Sequence, residues 1–256
     1  MKRLRLPLAV IVIVLATVQA ASAAEKSLNR EERAQAALIN TQLGMTYMRE
    51  GNLQAAREKI EKALEQNPRT AETQMAAGFL YDRLGDDRKA VSHYDQAARL
   101  AENNPDVLNN VAVYLCRKGD KKRGEEYFLQ AAGSALYRTP EVAYANAGRC
   151  ARADGRPKDA EQYFRKALAI RPEWPDALYQ LAELQHEMGK DLPARGFLQR
   201  YSAVAPASPA SLWLGYRIER ALGDTAQAQD YARRLKADFA TSEETSALLE
   251  AEQSQK

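Results

Sequence analysis

The sequence predicts an all-α fold, a right-handed α-solenoid of six helix-turn-helix repeats, and three observations predict it. Glycine recurs at Gly51, Gly85, Gly119, Gly155, Gly189 and Gly223, at intervals of 34, 34, 36, 34 and 34 residues. Other positions keep step with these glycines. If each glycine is position 15 of a unit, position 8 reads Gly44, Gly78, Ala112, Gly148, Ala182 and Tyr216, and position 20 reads Ala56, Ala90, Gly124, Ala160, Ala194 and Ala228. Finally, alanine, the strongest helix former, is abundant, and aromatic residues make up only 7% of the chain.

A fixed period of this length is the mark of a repeat array. Small residues at positions 8 and 20 let two antiparallel helices approach closely. Position 24 (Ile60, Tyr94, Phe128, Phe164, Leu198, Ala232) supplies the filling residue, and position 27 is alanine in the first four units. The glycine makes the tight turn between the helices because it tolerates positive φ. Proline at position 32 (Pro68, Pro172, Pro206) cannot continue the second helix and closes the unit. A 34-residue helix-turn-helix with these marks resembles the tetratricopeptide repeat.

The elements follow in order. Residues 1–23 read as a secretory signal: Lys2, Arg3 and Arg5, then the apolar run Leu6 to Val18, then Ala21-Ser22-Ala23 as a small-residue cleavage site. Val18-Gln19-Ala20 is a second cleavage candidate. The apolar run is shorter than the roughly 20 residues of a membrane span; an uncleaved N-terminal anchor is the alternative reading. Residues 24–36 form a charged lead-in, loose or partly helical. Six units then occupy 37–70, 71–104, 105–140, 141–174, 175–208 and 209–242, with the two extra residues of the third unit placed between Gly133 and Pro140. Residues 243–256 are expected to form a polar helix and a fraying tail.

Charge excludes one function class. The chain has 37 Lys+Arg and 34 Asp+Glu, and the first 23 residues hold three of the former and none of the latter, so the remainder carries 34 of each and is neutral. A neutral body gives no support to nucleic-acid binding, which relies on uncompensated Lys and Arg. Enzymes are disfavoured as well. His93 and His186 have no metal-type spacing to a partner, and no phosphate loop, nucleophile elbow or zincin motif is present. No cofactor, metal or catalytic residue is expected. His93 reads as a surface or packing histidine, and His186, flanked by Glu187, as a binding contact at most.

A binding surface remains. Solenoids of this kind offer an extended groove lined by positions 2, 5, 9, 12 and 13 of each first helix. In the first two units these include Met45, Met48, Met75 and Phe79, an adaptable apolar cluster suited to an apolar or amphipathic segment. Packing beneath residues 24–36 is the alternative. The third and fourth units offer Asn109, Val113, Arg149 and Arg152, and the sixth Trp213, Arg217 and Arg220, of types enriched at interface hot spots. Cys116 is position 12 of its unit and Cys150 position 10 of the next, so the two are candidates to meet across the seam if their Cα atoms come within roughly 7 Å. A disulfide fits secretion into an oxidising compartment; two buried free thiols are the other reading.

With the units aligned, "NNVAVYLCRKGD" (109–120), "NAGRCARADGRPKDAEQYFRKAL" (146–168), "FLQRY" (197–201) and "LWLGYRIERALGD" (212–224) resemble the type IV pilus biogenesis/stability protein family, the PilF/PilW pilotins. The resemblance runs through all six units. It implies a six-repeat periplasmic protein, at the inner face of the outer membrane, acting as a monomer and as a non-catalytic assembly factor for the secretin. It also implies that Cys116–Cys150 is the family's inter-repeat clasp and that the groove meets the secretin. The sequence departs from the family in having Ala21-Ser22-Ala23-Ala24 where typical members carry a lipidated cysteine. Membrane contact is therefore expected to be indirect, or through an uncleaved N-terminus. The competing expectation is a periplasmic scaffold for another envelope complex, such as polysaccharide export or cytochrome maturation.

Overall fold

The computed structural model describes residues 29–253, and among them there are thirteen α-helices and no strand. The expectations for the signal segment, the first part of the lead-in and the last three residues of the tail lie outside the described residues. The helices pair in sequence as hairpins. The first compact unit, ending at Ala101, holds α1 (Arg30–Arg49) with α2 (Leu53–Gln66) and α3 (Ala71–Arg83) with α4 (Asp87–Leu100). The second, from Glu102, holds α5 (Pro105–Lys118) with α6 (Lys121–Gly133), α7 (Pro140–Ala153) with α8 (Pro157–Ile170), α9 (Pro175–Glu187) with α10 (Asp191–Val204), and α11 (Pro209–Leu222) with α12 (Thr225–Asp238), followed by α13 (Glu243–Gln253).

Among the described residues, the six periodic glycines are the six of positive φ, between 69° and 101°. At five of the turns the next backbone N–H donates back across the helix end, as from Asp86 to Tyr81 and from Asp224 to Glu219, both at 2.9 Å. This is the Schellman arrangement that a left-handed residue permits. Second helices then start on Asn52, Asp86, Asp120 and Asp224, whose side chains accept from the backbone three residues on. Prolines at the first position open α5, α7, α8, α9 and α11, where a missing N–H costs nothing.

The lead-in is helical from Arg30. Asn29 caps it in a reciprocal box with Glu32, so the first helix of the array starts well ahead of residue 37. Links between repeats run four residues at 67–70, 101–104, 171–174 and 205–208, but six at 134–139, and the extra residues carry Tyr137 into the core, where it is 8% exposed. The small residues work as steric clearances. A Cβ on Gly44 would lie 2.5 Å from Ile60, on Gly78 2.9 Å from Tyr94, and on Gly148 2.7 Å from Phe164. In the last hairpin the contact slides by one residue: Gly215, not position 8, meets the ring of Tyr231, because Tyr216 is too bulky for that crossing. Finally, α13 is more than a polar tail. Its Leu248 is fully buried against Leu212, Tyr216 and Leu235, and the Thr245 hydroxyl donates to the Phe239 carbonyl at 2.7 Å, so the helix covers the apolar end of the last hairpin.

Candidate functional site

In the first unit the face to consider lies on the first helices of its two hairpins, α1 and α3. Buried Thr41 and Thr73 tie these helices, their hydroxyls 3.0 Å apart. Phe79, one helical turn beyond half-buried Met75, is 45% exposed. Leu38 shares the α1 stripe with Met45 and is 43% exposed. Leu38 stands at lining position 2 and was legible there, although attention to the methionines passes over it. Met48 must be withdrawn from the groove. It is 4% exposed, inside a cluster with Ala56, Ile60, Ala76, Ala77 and Leu80, and half-buried Met45 packs against the same cluster. Helix pairing claims the side chain because α1 has to bury a stripe against both α2 and α3.

The corresponding face of the second unit is polar and largely self-satisfied. Asn109 is buried, not open, and its side-chain oxygen accepts from Asn146 Nδ2 at 2.9 Å. Arg149 donates to Asn146 at 2.6 Å and to Asp176 at 2.6 Å. Arg152 donates to Glu183 at 2.6 Å, to Glu187 at 2.5 Å and to Gln180 at 3.1 Å. Burial pulls the Arg152 pKa down, but the bonds to Glu183 and Glu187 outweigh it and leave it above its ordinary value. Arg149 and Arg152 therefore brace α7 against α9, a use the spacing alone does not separate from presentation to a partner.

Further along, Tyr179 is pushed up to about 12, first by burial and then by Glu183, while the charges of Arg152 and Arg217 act the other way. Tyr179 thus sits near an arginine of α7 and one of α11. Arg217 is half-buried and Arg220 exposed, and neither has an ion-pair partner among the described residues. Trp213, half-buried, stacks on Tyr216 with ring centroids 5.4 Å apart. Val113 is 43% exposed.

The two units thus present first-helix faces of different chemistry, and the chain resembles known proteins along most of its length. Tetratricopeptide-repeat family profiles match residues 34–103 and 151–214. A crystal structure of PilW, described as a widely conserved type IV pilus biogenesis factor, superposes with a TM-score of 0.74 at 31% identity, covering 84% of this chain and 99% of that one. The chain belongs to this family of type IV pilus biogenesis factors. A structure of PilF from Pseudomonas aeruginosa agrees, with a TM-score of 0.71 at 25% identity over 86% of this chain and 99% of that one. The type IV pilus assembly protein PilF of the same organism is 26% identical over 195 residues, 76% of this chain and 77% of its own length.

Within its second unit this pilus biogenesis family member is pinned by cross-repeat links. Cys116 of α5 and Cys150 of α7 are joined through their sulfurs, with Cα atoms 5.8 Å apart. Glu125 of α6 accepts from Arg156, which also reaches Asp154 and Asp159, and from the Tyr163 hydroxyl of α8 at 2.5 Å. Arg195 of α10 binds Glu219 of α11. The histidines are similarly occupied. His93 pairs with Gln74 at 2.7 Å and stacks on Tyr81, and His186 pairs with Asp191 at 2.5 Å, so His186 holds the start of α10 instead of facing a ligand. Among the described residues no group of His, Cys, Asp and Glu is placed to hold a metal, and no helix is long and apolar enough to cross a membrane.

Proposed function

We propose that this family member is a non-catalytic assembly factor that captures a segment of the outer-membrane secretin subunit and promotes its localisation or multimer assembly. It acts in the periplasm, as a monomer, at the inner face of the outer membrane, with Cys116–Cys150 oxidised there. One observation carries the reading: the exposed Phe79 and Leu38 on the first-helix face of the first unit, with Met75 and Met45 half-buried beside them, in a chain of a pilus biogenesis family. An apolar or amphipathic segment laid across Phe79 and Leu38 buries both.

The test is a clean deletion in the source bacterium, scored by immunoblot for heat-stable secretin multimers and by microscopy for surface pili. Loss of multimers with secretin monomer still present is the expected result. Complementation with Leu38→Glu/Phe79→Glu should fail although the protein accumulates normally. These positions replace any test at Met45 or Met48, where a carboxylate would enter the core and unfold the unit. Unchanged multimers and normal pili in the deletion would overturn the proposal.

A further inference from the structure

On the first-helix face of the second unit, two arginines of α7 are matched by carboxylates of this chain. Arg149 holds Asp176, and Arg152 holds Glu183 and Glu187. Glu219 of α11 and Asp224 just after it both turn to Arg195, and Asp230 turns to Arg233. Arg217 and Arg220 have no ion pair among the described residues, and they are three residues apart and so on one side of α11. Trp213 lies one turn before Arg217 and Tyr216 one turn before Arg220, their rings stacked at an interplanar angle of 13°. Tyr216 is buried in the core beneath α13, so half-buried Trp213 is the ring left beside the two guanidinium groups.

We infer that Arg217 and Arg220, with half-buried Trp213 beside them, form a docking point for a short acidic peptide segment of a partner protein. Charge complementarity selects the acid. Guanidinium groups recognise carboxylates through paired N–H donors, and carboxylates of this chain satisfy the neighbouring arginines in that way. The partly open face of Trp213 selects a segment with an aromatic or apolar residue beside its acids. Extended polyanions are a poorer match, because the chain beyond residue 23 has equal numbers of acidic and basic residues and two adjacent cations make no track for a phosphate backbone or a lipid surface. The inference goes beyond the secretin reading and does not depend on it, since it concerns a chemical preference of α11 rather than the identity of the partner.

The test uses the purified protein and a fluorescently labelled peptide of aspartate and glutamate with one central phenylalanine. A lysine counterpart and phosphatidylglycerol vesicles are run in parallel. The acidic peptide should bind and the lysine peptide should not. Arg217→Glu/Arg220→Glu should weaken binding by about ten-fold or more, the equivalent of one good charged contact. Arg217→Lys/Arg220→Lys should keep part of it. Both positions are surface sites, and unchanged thermal unfolding of the two variants separates lost binding from lost folding. Equal binding of the two peptides, or an acidic-peptide affinity unmoved by charge reversal, would overturn the inference. So would vesicle binding that depends on these arginines while the peptide fails to bind.

Discussion

A methyl group added at Gly148 would lie 2.7 Å from the ring of Phe164, which is fully buried and has no room to retreat. Gly155, a few residues on, has nothing within 4 Å of where its Cβ would be, but its φ is +71°. The two glycines therefore fail in different ways when replaced by alanine. Gly148→Ala forces helices α7 and α8 apart and should cost about 1–3 kcal/mol. Gly155→Ala meets only the left-handed backbone penalty, about 1–2 kcal/mol, and leaves the interhelical contact intact. Urea unfolding ranks them, and near-ultraviolet circular dichroism should change for Gly148→Ala alone. Tyr179 gives a pH-dependent counterpart. Burial first, then Glu183, raises its pKa to about 12 from the ordinary 10.0. Its neutral form is therefore favoured by folding, and that stabilisation is complete below pH 10 and lost as pH rises through 12. Tyr179→Phe, which has no proton to lose, should show a shallower fall in stability over that alkaline window.

At the scale of the element, what distinguishes this array is how its helices are tied across repeats. The Cys116–Cys150 link closes a loop of 34 residues between α5 and α7, which chain-entropy arguments value at about 3–4 kcal/mol. Cys116→Ser/Cys150→Ser should lower the unfolding midpoint accordingly, and a reducing agent should lower the parent protein to the same value without affecting the variant. The hairpins themselves were plain in the sequence because turn glycines, clearance residues and closing prolines are local requirements, each met at a fixed offset. Side-chain destinations were less plain. Met48 and Met45 lie at positions that can face a groove or a neighbouring helix, and the burial of Ile60 and Leu80 beside Met48 decides between these. Arg149 and Arg152 look like presented charges until Asp176, Glu183 and Glu187, each some thirty residues later, arrive opposite them. Gly215 was passed over for Tyr216 because a strict period hides a one-residue slide that only the fit of Tyr231 reveals.

For the molecule as a whole, the contact surface is divided by chemistry. The first unit exposes Leu38 and Phe79, and the second offers a braced polar face on which Arg217 and Arg220 carry no ion pair among the described residues. With equal numbers of acids and bases after residue 23, no net field steers a partner toward either. The two contacts should therefore answer differently to salt. Exposed charges interact over a Debye length of about 10 Å at 0.1 M salt and about 3 Å at 1 M, so acidic-peptide binding at Arg217 and Arg220 should fall several-fold as sodium chloride rises between these limits. Apolar burial on Phe79 and Leu38 has no such dependence, and a secretin fragment captured there should keep its affinity within about two-fold, since removing apolar area from water involves no counterion. Titrating both ligands against the same protein at the two salt concentrations checks this directly. A secretin fragment whose affinity collapses with salt while Leu38→Glu/Phe79→Glu leaves it unchanged would move its contact from the first unit to the charged one.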